Sequence, residues 1–218
     1  KNEELKYYLF FALGFSAVIS LSVMYYTPDL MGGIEPTIRH GLFQVVSLLT
    51  TTGFATFDYM NWSQFTWMFL LVIMLFGGSA GSTSGGMKMV RIVLLLKNSY
   101  YEFKRLLHPN AIIPVRFNDK VVVPQVMTNV LAFAVLYISI LIIGMLVLGA
   151  FGMTFEEAIG SSITALSNVG PSVGSLGPAS NFSEITVPAK WTMSFLMLTG
   201  RLELFTVLVI LTPSFWRK

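Results

Sequence analysis

The chain has 218 residues, of which 54% are hydrophobic and only 11% charged, with a formal net charge of +3. A soluble domain carries about a quarter charged residues, so this composition excludes an ordinary soluble domain and points to an integral membrane protein. With no cysteine there is neither a disulfide framework nor a thiolate metal site.

The apolar residues arrive in blocks. Tyr7–Tyr26, Phe65–Phe76 joined with Met87–Leu96, Val121–Phe151 and Trp191–Leu211 each reach, alone or joined, the roughly 20 helical residues that cross a bilayer core. The first block is too long and too aromatic for a signal peptide, and no small-residue cleavage site follows it. Between the second and third blocks lie Lys97, Lys104, Arg105, Arg116 and Lys120 against Glu102 and Asp119. The first connection, Thr27 to Trp62, holds Arg39 against Asp29, Glu35 and Asp58; the last, Gly152 to Lys190, holds Lys190 against Glu156, Glu157 and Glu184. Basic connections stay cytoplasmic, which predicts both termini and the middle connection inside and the two acidic connections outside. Beside a membrane, this orientation reading of the basic stretch outweighs a nucleic-acid patch.

The two acidic connections each contain a shorter apolar helix pattern followed by a glycine: "PTIRHGLFQVVSLLTTTGFATFD" from Pro36 and "TFEEAIGSSITALSNVGPSVGSLG" from Thr154. Laying Gly53 over Gly170 gives a constant offset of 117 residues, which also superposes Leu42 on Ile159, Ser47 on Thr164, Leu49 on Leu166 and Thr50 on Ser167. The same offset lays Tyr8–Tyr26 over the interior of Val121–Phe151. Such self-similarity marks a duplicated unit. The short helices, Ile38–Leu49 and Phe155–Leu166, extend only about 18 Å at the helical rise per residue, so they do not span. Non-helical backbone at membrane depth persists only where protein or a wet path surrounds it, so each half-helix with its glycine segment predicts a polar pathway at the repeat axis. Two amphipathic helices lying on the outer surface remain the alternative.

Those glycine segments suit a monovalent cation. Backbone carbonyls replace a hydration shell without burying net charge, and glycine lets the chain turn them inward. Thr50, Thr51, Thr52, Gly53 and Phe54 form the first candidate filter, and Ser167, Asn168, Val169, Gly170 and Pro171 the second. The partially negative C-terminal ends of the half-helices favour a cation nearby, and acidic connections concentrate cations at the entrance. No carboxylate stands in either segment, which argues against a divalent-selective ring.

The second crossing is interrupted. Ser63 to Lys97 would extend about 50 Å as one helix, well beyond the roughly 30 Å apolar core. Its middle carries Gly77, Gly78, Ser79, Ala80, Gly81, Ser82, Thr83, Ser84, Gly85 and Gly86, followed by Lys88. Each helical glycine costs about 1 kcal/mol relative to alanine, so five of them in ten residues disfavour a continuous helix; a plain cytoplasmic turn remains the other reading. The last crossing carries Arg201 and Glu203 near its middle. They do not share a helical face, and each needs its own partner.

"TTTGFA", "FGGSAGSTSGGMK" and "TGRLELFTVLVILTP" together resemble the TrkH branch of the Trk, Ktr and HKT potassium transporters, over essentially the whole chain. The resemblance implies an all-α membrane protein of two tandem helix–pore-helix–filter–helix units, residues 1–98 and 120–218, joined by a cytoplasmic linker, 99–119. It implies potassium as the transported ion, no cofactor, and a bacterial inner-membrane location. Gly53 and Gly170 become filter glycines, and Gly77–Gly86 an intramembrane gating loop beneath them. Arg201 becomes an electrostatic barrier contacting loop oxygens, or else part of a structural salt bridge, with Glu203 pairing to Lys88 or Arg91. The implied partners are a missing N-terminal half with two further pore units, a second copy, surrounding lipid, and a cytoplasmic nucleotide-binding ring (TrkA-like) docked on Lys97–Lys120. By itself the chain is then a non-conducting half, unless two copies assemble a four-unit pore. An intramembrane hydrolase is the rival class, but Thr83 stands where G-x-S-x-G needs serine, and His40 and His108 fall on opposite sides of the membrane.

Overall fold

The computed structural model describes residues 2–111, 113–202 and 204–216. The first helix, α1 (Glu3–Tyr26), starts where the Asn2 side chain accepts from the Leu5 N–H and carries Glu3 and Glu4 in its first turn. These caps use the orphan N–H groups and the positive helix end. A half-length helix, α2 (Ile34–Leu49), follows, then a 3-10 turn at Tyr59–Asn61 and α3 (Gln64–Met74). Beyond the glycine-serine loop, α4 (Met89–Leu107) runs out to the basic connection. The second copy comprises α5 (Pro124–Ala150), α6 (Phe155–Ser167), α7 (Val187–Arg201), α8 (Leu204–Ile210) and the single turn α9 (Pro213–Trp216).

Among the described residues, α1 and α5 are the helices long and apolar enough to cross a membrane singly. Both are apolar around their circumference and turn large side chains outward: Phe10, Leu13 and Leu21 on α1, Val135, Ile143 and Leu146 on α5. On a soluble protein such a surface would be an aggregation hazard; against lipid it is the ordinary boundary. Inside, Ile19, Leu48, Leu49, Leu70, Ile73 and Met74 form one core where α1, α2 and α3 meet, and Leu148, Ala165, Ala189, Met193 and Leu196 form another between α5, α6 and α7. Helix α6 is buried along nearly its whole length, with Ser161, Ser162, Thr164 and Ser167 all at 0% exposure. Its small residues let α5 and α7 approach closely, as helix packing in lipid requires.

Three features depart from the sequence reading. Helix α2 begins at Ile34, one turn earlier than expected, because Pro36 is tolerated in a first turn where its missing N–H is not needed. The last crossing is not one straight helix: α7 and α8 are bent by 115°, and α7 stops just after Gly200 meets the C-terminal carbonyl of α6. The connection between units holds a β-hairpin, β1 (Arg116–Phe117) antiparallel to β2 (Lys120–Val121), with Asn118 and Asp119 both at positive φ. Two successive left-handed residues are the requirement of a type I′ hairpin turn.

Candidate functional site

The site is built at the C-terminal ends of α2 and α6. Each half-helix stops because the next residues turn left-handed: Thr51 at φ +55° and Gly53 at φ +73° in the first copy, Asn168 at φ +55° and Gly170 at φ +120° in the second. The equivalence extends to single hydrogen bonds. Thr51 N–H donates to Leu48 O at 3.1 Å and Asn168 N–H to Ala165 O at 3.2 Å; Thr52 N–H donates to Ser47 O at 3.0 Å and Val169 N–H to Thr164 O at 3.1 Å. These pairs are each separated by the 117-residue offset of the sequence repeat. The repeat therefore reproduces a backbone path as well as an apolar pattern.

The two segments lie against each other. A Cβ on Gly53 would sit 2.1 Å from Val169 O and 2.9 Å from Pro171 Cδ, so only glycine fits this approach. Both segments are pinned from behind. The Ser47 hydroxyl donates to Phe54 O at 2.6 Å, while the phenyl ring of Phe54 is 71% exposed. In the second copy Thr164 Oγ1 accepts from the Gly170 N–H at 3.0 Å, and the Asn168 amide donates to Met197 O at 3.1 Å on α7. Two buried tyrosines complete the support: Tyr137 pairs its hydroxyl with Ser167 Oγ at 2.8 Å, and Tyr59 donates to Ser172 O at 2.5 Å. At the N-terminus of α6, the Ser175 hydroxyl and the Thr154 N–H hold the Glu157 carboxyl below the usual carboxylate range. That group stays ionised, and its negative charge complements the positive N-terminal end of the helix.

Because Tyr137 and Ser167 are both almost fully buried, Tyr137→Phe leaves the Ser167 hydroxyl without its partner. An unsatisfied buried hydroxyl costs about 1–3 kcal/mol, so the variant should melt several degrees lower in detergent, as thermal unfolding would measure.

The Gly77–Gly86 loop is a compact hook. Its neck closes where Gly77 N–H donates to Met87 O at 2.7 Å and Met89 N–H to Gly78 O at 3.0 Å. Within it Ser84 Oγ accepts from the Gly78 N–H at 2.9 Å, Ser82 and Ser84 share a hydroxyl contact of 2.7 Å, and the Lys88 ammonium donates to the carbonyls of Ser82 and Ser84. The returning limb of the hook, close to its neck, meets the second glycine segment: a Cβ on Gly85 would lie 2.3 Å from Ser167 O and 2.9 Å from Asn168 Cβ. Ser79, Ala80, Gly81 and Thr83 are exposed.

Two cavities flank the hook. One of about 420 Å³ lies between it and the first turn of α1, reaching from Glu4 past Tyr8 to Thr50 at the end of α2. The other, about 320 Å³, is lined by Ser82, Ser84, Lys88, Arg91, Phe133 and Arg201. Arg201 is exposed and shares this space with the hook, but among the described residues no hydrogen bond joins the two. Arg91 stacks its guanidinium 3.9 Å above the Phe133 ring and ties α4 to α5. Glu203, expected to pair with Lys88 or Arg91, lies outside the described residues. Among the described residues no group of three His, Cys, Asp or Glu side chains is arranged to hold a metal.

Residues 6–218 match the family TrkH, described as a cation transport protein. The chain belongs to the TrkH family. It is 37% identical over 210 residues to the Trk system potassium uptake protein TrkH of Escherichia coli K12, covering 96% of this chain and 43% of that protein. The corresponding TrkH of Halomonas elongata is 36% identical, covering 100% of this chain and 44% of the relative. The crystal structure of the potassium transporter TrkH from Vibrio parahaemolyticus superposes with a TM-score of 0.91 at 36% identity, covering 100% of this chain and 46% of that one. The chain thus spans less than half the length of the relatives it matches. TrkH proteins are membrane transporters rather than enzymes, which removes the hydrolase alternative.

Sequence reasoning overlooked four supporting residues: Glu4, Tyr59, Tyr137 and the side-chain role of Ser47. The one signal available was the 117-residue match of Ser47 to Thr164, two hydroxyls at equivalent places six residues before a glycine.

Proposed function

We propose that this chain supplies two of the pore units of a potassium-uptake protein, with Thr50–Phe54 and Ser167–Pro171 as two strands of the selectivity filter. The observation that carries this reading is the duplicated backbone geometry at the ends of α2 and α6. Two half-helices point their negative ends at one place, and two left-handed glycines turn the following carbonyls toward each other. Such oxygens substitute for the hydration shell of a monovalent cation. Phe54 O is used internally by Ser47, so the carbonyls of Thr51, Thr52 and Gly53 are the better candidates for the ion in that strand.

The Gly77–Gly86 hook stands beneath the second strand and separates the two cavities, which suits a block that must move aside for conduction. Arg201 places a positive charge in the same space and opposes a cation that has passed the filter. Two strands are half of a filter, so conduction needs two further units, supplied by the remainder of a longer protein. The acidic connections face outward and the basic α4–hairpin surface faces the cytoplasm of a bacterial inner membrane. A nucleotide-binding regulatory ring would dock on that basic surface, and the whole transporter would pair with a second copy.

The test is rubidium and sodium uptake by proteoliposomes holding the chain with and without the remaining half. Rubidium uptake that exceeds sodium uptake and requires both halves supports the proposal. Selective uptake by the chain alone would favour assembly of two copies, and its absence under every condition would reject the reading.

A further inference from the structure

The first turn of α1 makes two long-range connections. On one side the Glu4 carboxylate accepts from the Ala80 N–H of the hook at 2.6 Å, across 76 residues of sequence. On the other, Glu3 is gripped by the hairpin: its N–H donates to Asn118 Oδ1 at 2.8 Å and its carboxylate accepts from the Asn118 N–H at 3.1 Å. The same carboxylate pairs with Lys97 of α4 at 2.6 Å, and Lys97 also donates to Arg116 O at 3.0 Å. Adjacent residues of one helical turn therefore hold the glycine-serine hook and the turn of the β1–β2 hairpin.

The physical content lies in which groups are held. The exposed arm of the hook, Ser79 to Gly81, is held from outside the loop by Glu4 at the Ala80 N–H, whereas from within the loop the Ser82 N–H and hydroxyl donate to Ser79 O at 2.9 and 2.8 Å. A carboxylate accepting from a backbone N–H is a charge-assisted bond, stronger than its neutral counterpart. The hairpin turn, with Asn118 at φ +50°, presents its side chain to a helix N-terminus where Glu3 is part of a multiply bonded junction. A displacement of the hairpin would pull on Glu3, the residue next to the Glu4 that holds Ala80.

We propose that Glu4 is a positioning residue for the hook, and that the first turn of α1 couples the 116–121 hairpin to it. The hairpin then acts as the lever by which an event on the basic face changes the hook. Its consequence for transport rests on reading the hook as the block in the ion path, but the coupling itself does not.

A label on the hook tests the coupling without reference to transport. Gly81 has no atom within 4 Å of where a Cβ would stand, and the chain has no cysteine of its own, so Gly81→Cys accepts a nitroxide in an assembled transporter whose cysteines elsewhere have been replaced by serine. Loss of the Glu4 bond should shift the held-to-released ratio of the hook by about tenfold, seen as a mobile spectral component in Glu4→Ala. Glu4→Gln, which keeps a neutral acceptor, should fall between. Asn118→Gly keeps the left-handed turn without strain but removes the Oδ1 acceptor, and it too should mobilise the distant label, to a smaller degree. An unchanged spectrum in Glu4→Ala overturns the positioning role; an unchanged spectrum in Asn118→Gly overturns the coupling. In rubidium uptake, Glu4→Ala should raise the resting rate. A mobile label with an unaltered resting rate would count against the hook as the block while confirming Glu4 as its anchor.

Discussion

Gly53→Ala is expected to abolish selective uptake, lowering rubidium flux by about 100-fold or more, with the protein still inserted and monodisperse in detergent. Two costs combine. A left-handed conformation costs a residue with a Cβ roughly 1–2 kcal/mol, which alone would reduce the population of the native strand by about tenfold. The larger cost is collision: the new Cβ would lie 2.1 Å from Val169 O, about 1 Å inside any permissible contact. The obstacle is backbone, so no side chain can swing away, and one of the two strands must shift by about that distance. An oxygen ring that replaces a hydration shell does not tolerate such a shift.

Gly170→Ala provides the comparison. Gly170 lies at φ +120° with no atom within 4 Å of its would-be Cβ, so strain of about 1–3 kcal/mol is the whole cost. The loss there should be roughly tenfold. Equal losses in the two variants would show that conformational strain alone sets the effect, and that the approach of Gly53 to Val169 has no role in selectivity.

The asymmetry between these glycines shows where sequence reading ends. The repeat was legible because helical phase and the glycine spacing survive the 117-residue offset, from Leu42 over Ile159 to Thr50 over Ser167. The left-handed turns at Thr51 and Asn168 were not. Asparagine is enriched in that conformation, but threonine, being β-branched, is an outlier there, and only the bonds to Leu48 O and Ser47 O from this turn reveal the need for it. Nor does the sequence distinguish a glycine with a neighbour's backbone against it from one beside open space.

The hook shows the same limit more sharply. Composition marks Gly77–Gly86 as the place where the crossing breaks, but it leaves the packing of those small residues open. The hydroxyls of Ser82 and Ser84 are consumed by the hook's own internal bonds, and Gly77, Gly78 and Gly85 are glycines because other atoms occupy the Cβ positions. A run of small residues reads the same whether it is slack or tightly packed. The hairpin was a different kind of omission. "RFNDKV" carries Asn-Asp between extended residues, and both residue types tolerate the left-handed conformation that a type I′ turn requires. The bend after Arg201 was illegible for a further reason: it occurs where α7 meets Leu166 O across Gly200, a contact between residues 34 positions apart.

Arg201→Ala is expected to raise rubidium uptake by roughly tenfold under resting conditions. Charge and space, rather than a bond, carry the expected effect. Arg201 shares a cavity of about 320 Å³ with Ser82, Ser84 and Lys88, and it makes no hydrogen bond to the hook among the described residues. Its substitution therefore leaves the internal bonds of the hook in place. What changes is the potential met by a cation leaving the filter. Two like charges several ångströms apart in a partly screened site repel by about 2–4 kcal/mol; solvent entering a cavity of this size reduces that to about 1–2 kcal/mol, which corresponds to roughly tenfold in rate. Arg201→Lys keeps the charge and should remain near the parent rate, whereas Arg201→Gln should behave like alanine. Raising the ionic strength should narrow the gap between the parent and Arg201→Ala, since screening weakens the barrier only where the charge is present. If lysine and alanine raise uptake equally, the barrier is steric, and the shape of the guanidinium rather than its charge opposes the ion. If neither variant changes uptake, Arg201 has no part in gating and its position at the end of α7 serves packing alone.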